Sequence, residues 1–198
     1  MKVISGAMRE DSGGLFAQLS SYRHKVFVET LGWELQTQNG WELDQFDRPD
    51  TVYVVSQNGD GQINGCARLL PTDQPYLLGE VFPELFNGQT PPCSQEVWEL
   101  SRFAAMDFSG HGAAVGGKAS DITVDLLRQA IACVAAHGGK KMIAVSTRSV
   151  ERLMRSAGFQ MVRMGPPVVI NGFSLVACWL DVEENLARFP ADYEFQFE

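Results

Sequence analysis

The stretch 96–146, EVWELSRFAAMDFSGHGAAVGGKASDITVDLLRQAIACVAAHGGKKMIAVS, decides the fold, because strand, connection, helix and second strand follow one another within it. Glu96 to Ala104 alternates as a strand. That alternation places Val97, Glu99, Ser101 and Phe103 on one side and Trp98, Leu100 and Arg102 on the other. Charges on both sides of one strand are unusual. A glycine-rich connection over 109–117 leads into a helix from about Asp121 to His137, whose Ile122, Leu126, Ile131 and Val134 share a face. Gly138 and Gly139 stop that helix, and Met142 to Ser146 form the next strand, which completes a β-α-β crossover.

Working outward, Leu15, Leu19, Tyr22, Val26 and Phe27 recur at helical spacing and predict an amphipathic helix over 15–30, with Arg23 and Phe27 on one face. Residues 51–56 and 62–70 are β-rich and flank Asn58-Gly59-Asp60-Gly61, a hairpin turn by composition. Residues 36–50 are polar and turn-rich, yet they carry Trp41 and Phe46, so this loop folds over something. On the other side of the crossover a short helix over 149–157 ends at Gly158, with further strands near 159–162 and 173–180. The expected architecture is a single-domain α/β fold over 1–198, a mixed twisted sheet flanked by helices, with 181–198 as a loosely docked acidic tail.

The whole chain is 198 residues long, 45% hydrophobic, and carries 16 basic against 24 acidic residues, a net charge of −8. This excludes a nucleic-acid-coating protein or a binder of anionic membranes, both of which need a large basic footprint. With no run of 18 apolar residues and no signal-like start, the expectation is a cytoplasmic protein without stable membrane insertion. Cys66, Cys93, Cys133 and Cys178 are scattered, so neither a metal site nor a disulfide framework is expected, only reduced and mostly buried thiols.

Segment 112–119, GAAVGGKA, nearly spells a phosphate-binding loop, but Ala119 stands where the motif needs a hydroxyl for magnesium. The acetyltransferase pyrophosphate loop fits no better, since Asp107 precedes Gly110-His111-Gly112 where that motif places a donor. The denser signal lies upstream. Arg23, Arg68 and Arg102 are set against Glu42, Asp44, Asp47 and Glu99, several beside apolar residues that draw them inward, and buried charges need partners. An ion-pair network that merely holds the fold is one reading. Phe27 and Trp33 favour another, because aromatic faces beside carboxylates seat a cationic ligand.

These residues carry a family resemblance. Arg23-x-x-x-Phe27, Gly32-Trp33, Glu42-x-Asp44-x-Phe46-Asp47, Arg68, Phe82 and Glu99-x-Ser101-Arg102-Phe103 resemble the signature of the LuxI-type acyl-homoserine-lactone synthases. The resemblance implies a fold similar to the acetyltransferases. It also implies transfer of an acyl chain from acyl carrier protein to S-adenosylmethionine, followed by lactone closure and release of 5′-methylthioadenosine. S-adenosylmethionine is then a consumed substrate, and no cofactor or metal is expected. Carried onto this chain, Glu99 is the expected base, Ser101 a hydrogen-bonding residue rather than a nucleophile, and Arg102 part of the catalytic group. Backbone N–H groups near 101–103 would steady the oxyanion. Asp44 and Asp47 would hold the ammonium and sulfonium end, Glu42 would belong to the same S-adenosylmethionine site, and Arg23, Arg68 and Arg102 would orient those carboxylates or the substrate carboxylate. Phe27, Trp33 and Phe103 would enclose the adenosyl group.

Phe82, Met142, Ala144 and Leu153 are the expected acyl pocket. Because Ala144 has no hydroxyl where similar enzymes place a threonine for 3-oxo chains, an unsubstituted medium-length chain is expected. Residues 140–163 hold six basic groups and one acid, Glu151, and the helix carrying Arg148, Arg152 and Arg155 is the expected contact for an acidic carrier protein. The alternatives are an acyl-CoA-dependent N-acyltransferase and a silent carrier-binding module.

Overall fold

Residues 2–5, 14–109 and 120–189 are described in the structure, a computed structural model. The elements run β1 (Lys2–Ser5), α1 (Leu15–Arg23) continuing into a wide π-helical turn (His24–Thr30), β2 (Thr37–Gln38), β3 (Trp41–Glu42), β4 (Val52–Gln57) and β5 (Ile63–Pro71). They continue with α2 (Leu77–Val81), a 3₁₀ turn (Pro83–Phe86), β6 (Val97–Ala104), α3 (Asp121–Ala136), β7 (Lys141–Thr147) and α4 (Arg148–Ser156). The chain then forms β8 (Val162–Arg163), β9 (Val168–Ile170), β10 (Phe173–Asp181) and α5 (Val182–Arg188).

Eight strands make one sheet in the order β1-β4-β5-β6-β7-β10-β8, with β9 also paired to β10. Among the described residues only β6 and β7 run parallel, as the crossover through α3 requires. Their pairing stops at Leu100 opposite Ala144. Beyond that point β6 pairs with β5 alone, and β7 with β10 alone, so the two central strands part. The place where parallel strands end and separate is where α/β sheets tend to bind ligands.

Alternation along β5 divides the core. Ala67 and Leu69 face one side and join Trp98, Leu100, Met142 and the buried face of α3, with α4 and α5 beyond. Cys66 and Leu70 face the other side, in two separate apolar clusters: Cys66 packs with α1 and the π turn, Leu70 with Phe46, Tyr76 and Leu78. Arg68 lies between them in the strand and is fully buried. The sheet therefore holds a charged position between two apolar clusters, and the candidate site is built around it.

Local choices follow the expected chemistry. Ser120 caps α3 by accepting from the N–H of Thr123, and Gly139 ends the connection where a Cβ would come within 2.3 Å of Val134 and 2.7 Å of Trp98. The expected 15–30 helix is α-helical only to Arg23. It then widens, with Leu31 donating to Val26 and Trp33 to Phe27. Phe46 is buried and anchors the 36–50 loop over the sheet, whereas Trp41 is exposed. The strand expected over 159–162 is only two residues, Val162–Arg163, because Phe159 and Met161 are drawn into the α3-side core. At the start of the tail, α5 is docked, with Val182 and Asn185 buried and Asn185 bonded to Gln160 and Asp181. The rest of that tail, from 190, and the 110–119 segment with its near phosphate loop lie outside the described residues. All four cysteines are free, with Cys93 exposed and the others buried. Among the described residues no helix is long and apolar enough to cross a membrane.

Candidate active site

Three arginines and three carboxylates close on one another over the β5–β6 pair. Arg23 at the end of α1 donates from Nε to Glu42 at 2.6 Å and grips Asp47 with both terminal nitrogens at 2.7 and 3.0 Å. Arg102 bonds Glu42 and Asp44, each at 2.8 Å from Nη2. Arg68 bonds Asp44 at 2.6 Å and Asp47 at 3.1 Å from Nη1, and Ser101 Oγ at 3.1 Å from Nε. Charge-assisted and partly bidentate pairs of this kind offset the desolvation of both partners. Burial alone would push the Arg23 guanidinium down, but Asp47 and Glu42 outweigh it and hold it above its ordinary value. Burial likewise works to raise Asp47, yet Arg23, Arg68 and the Tyr53 hydroxyl hold its carboxyl well below the usual carboxylate range. Glu42 is held low by Arg102 and Arg23 against the same cost of burial.

Arg102 reaches this cluster through a backbone irregularity. The β5–β6 register shifts between Cys66 and Arg68, and Arg102 adopts φ +49°, a left-handed conformation uncommon for a residue with a side chain. The bulge turns Arg102 onto the Arg68 side and sends Phe103 to pack against the α3-side core. Strict alternation had these two the other way round. Phe103 is therefore apart from Phe27 and Trp33, which stack at 4.9 Å between ring centroids beside the cluster. Arg102 lies 5.7 Å from the Phe27 centroid.

Glu99 is fully buried on the same face. Its carboxylate accepts from the backbone N–H of Leu77 and Leu78, and so satisfies the first turn of α2. Burial pushes this carboxyl up, while the two N–H groups, Arg68 and Ser101 partly restrain the shift. Asp44 is the most open acid of the cluster, its side chain 13% exposed against 1% for Glu42 and Asp47. Nη2 of Arg68 is buried without a hydrogen-bond partner among the described residues.

The expected acyl residues divide. Met142, Ala144 and Leu153 lie together in the α3-side core, but Phe82 packs with Phe46 and Leu78 across the sheet, on the charged side. Phe82 follows α2, and α2 is held to that face by Glu99. On α4 and β8, the expected contacts Arg148, Arg152 and Arg155 line one groove of about 570 Å³ together with Arg163. Sequence reasoning left two participants unassigned. Tyr53, whose hydroxyl donates to Asp47, reads as an ordinary strand aromatic in TVYVVS. Arg163 is separated from α4 in the chain, and only the strand fold-back brings it to the groove.

A mixed sheet that opens between two parallel central strands, with a buried cluster of charges beside the opening, defines an α/β protein with a candidate site for a charged ligand. The family model for autoinducer synthases matches residues 8–188, and the chain belongs to that family. It is 52% identical over 183 residues to an acyl-homoserine-lactone synthase of Acinetobacter nosocomialis, covering 92% of this chain and all of that one. TofI, solved in a ternary complex with an inhibitor and MTA, superposes with TM-score 0.80 at 42% identity, over 97% of this chain and 98% of its own. BjaI, a CoA-dependent acyl-homoserine-lactone synthase solved with SAM and isopentyl-CoA, gives TM-score 0.82 at 25% identity, over 100% and 92%. The chain is an acyl-homoserine-lactone synthase and an acyltransferase.

Proposed function

We propose that the enzyme takes its acyl group from acyl carrier protein and passes it to the α-amine of S-adenosylmethionine, then closes the lactone and releases 5′-methylthioadenosine. The observation that carries the donor assignment is the four-arginine groove on α4 and β8 in a chain of net charge −8. It suits an acidic protein.

S-adenosylmethionine presents an ammonium, a sulfonium and a carboxylate. Asp44, the open acid, meets the cationic end, with Glu42 and Asp47 holding the arginines that fix it. The unpartnered Nη2 of Arg68 supports a role on the substrate carboxylate. Phe27 and Trp33 give a stacked wall for the adenosyl group, and Phe82 joins that side. In the first step the amine attacks the thioester carbon and gives its proton to Glu99, directly or through a water, as the raised carboxyl suits. The C–S bond of the thioester breaks and the carrier thiol leaves. The β7-facing edge of β6, which has no strand partner beyond Leu100 among the described residues, supports an oxyanion donor there. In the second step the substrate carboxylate attacks the carbon beside the sulfonium, and the C–S electron pair passes to sulfur. That leaving group is already cationic, so positioning dominates.

For the chain itself, Met142, Ala144 and Leu153 line the apolar side, and Ala144 suits an unsubstituted medium-length chain. One observation favours a 3-oxygenated chain instead: Ser146, two residues on and on the same face of β7, has a buried Oγ without a partner among the described residues. A competition assay with carrier-bound and CoA-bound C4 to C12 chains, each unsubstituted, 3-oxo or 3-hydroxy, tests both points. Carrier-bound donors are expected to win. Equal use of acyl-CoA would overturn the donor assignment, and a preference for oxygenated chains that disappears in Ser146→Ala would establish the second chain reading.

A further inference from the structure

The basic groove has an acid at its floor. Glu151 is the only carboxylate among the described residues that line it, its side chain is 3% exposed, and it accepts from both neighbours at once. Arg163 meets it with Nε at 2.8 and 3.0 Å and Nη2 at 2.6 Å, a fork across from β8 to α4. Arg155, one turn along α4, donates to it from Nε at 2.9 Å. These contacts leave Nη1 of Arg163 and both terminal nitrogens of Arg155 without partners among the described residues, on side chains 38% and 42% exposed. Arg148 and Arg152 have no ion-pair partner among those residues.

A patch that attracted an acidic partner by charge alone would be stronger without Glu151. We propose that Glu151 is the positioning residue of the carrier-docking groove: it fixes Arg155 and Arg163 as a rigid pair whose free N–H groups point at the acidic partner. The inference rests on the carrier-protein reading above. Two long side chains held in place before docking lose less freedom on binding, and a guanidinium fixed through Nε presents its remaining donors in one direction. Positioning and net charge therefore predict opposite signs for the loss of this one acid.

The test is steady-state kinetics of Glu151→Gln with acyl carrier protein and S-adenosylmethionine varied in turn, beside Arg163→Lys, which keeps the charge and loses the fork. The expected result is a carrier KM raised about tenfold in Glu151→Gln, and raised in Arg163→Lys, with kcat and the S-adenosylmethionine KM near wild type. A carrier KM that falls or stays constant in folded Glu151→Gln overturns the proposal in favour of net charge. Equal damage to kcat and both KM values overturns it in favour of a purely structural staple. If Glu151→Gln does not fold, Arg163→Lys decides, and an unchanged carrier KM there overturns the proposal. Wild-type enzyme that carrier does not saturate would remove the donor reading and this inference together, a failure distinct from an unchanged variant on a saturable enzyme.

Discussion

The molecule uses arginine–carboxylate chemistry in two regions of opposite construction. In the cluster over β5 and β6, Arg23, Arg68 and Arg102 face Glu42, Asp44 and Asp47, charge for charge, and nearly all of it is out of water. In the α4–β8 groove four arginines surround one acid, two of them bonded to it, and all are exposed. Depth sets what each can do. Removed from water, a pair is strong and its loss costly, so the buried set is suited to fixing geometry for the proposed small charged substrate. An exposed excess of one sign is screened and weak per residue, but it acts at a distance and suits an approaching protein.

The contrast breaks most visibly at Arg23. Arg23→Ala strands Glu42 and Asp47 in the interior, and urea denaturation is expected to show a loss of about 3–5 kcal/mol. Both carboxyls are held below their ordinary range in the fold, so this loss should be full above the ordinary carboxylate range. It should shrink as pH falls through their folded values. A loss no larger than that of a surface pair would show that the cluster is not a desolvated network.

Glu99 sharpens the comparison from beside the cluster, since burial leaves its carboxyl raised while the arginines hold those of Glu42 and Asp47 low. As a general base it works unprotonated, so kcat/KM should rise with pH along an acid limb lying above the ordinary glutamate range. Glu99→Gln should lower the rate by roughly 10²–10⁴-fold and abolish that limb. A variant retaining the limb would assign the base elsewhere. At the exposed end the effects are smallest. Arg152→Gln should raise the carrier KM only a few-fold, by less than about 1 kcal/mol, and the difference should fade as ionic strength rises. An effect independent of salt would mean that Arg152 makes a desolvated contact.

Much of this was legible in the sequence because periodicity and charge are local signals. The α3 crossover, the β4–β5 hairpin, α4 and β10 follow from apolar spacing and glycine stops, and every member of the buried cluster is visible as a charge beside apolar neighbours. What was not legible is set by contacts distant in the chain. Nothing in SRFA announces that Arg102 takes a positive φ, so the reversal of Arg102 and Phe103 appears only when the bulge against β5 forms. Phe82 reads as a pocket aromatic until α2 is tied down by Glu99, which puts it on the opposite face from Met142 and Ala144. Helix α2 and strand β9 are too short for a periodic signal, and the π turn after Arg23 preserves the apolar spacing of an ordinary helix.

The most direct test of the account is mass spectrometry of purified enzyme with S-adenosylmethionine and a panel of acyl carrier proteins bearing C4 to C12 chains, following lactone and 5′-methylthioadenosine together, with Asp44→Asn in parallel. The account predicts equimolar appearance of both products from the wild type and none from the folded variant. Normal product from Asp44→Asn, or no lactone from any carrier-bound chain while acyl-CoA supports turnover, would contradict it.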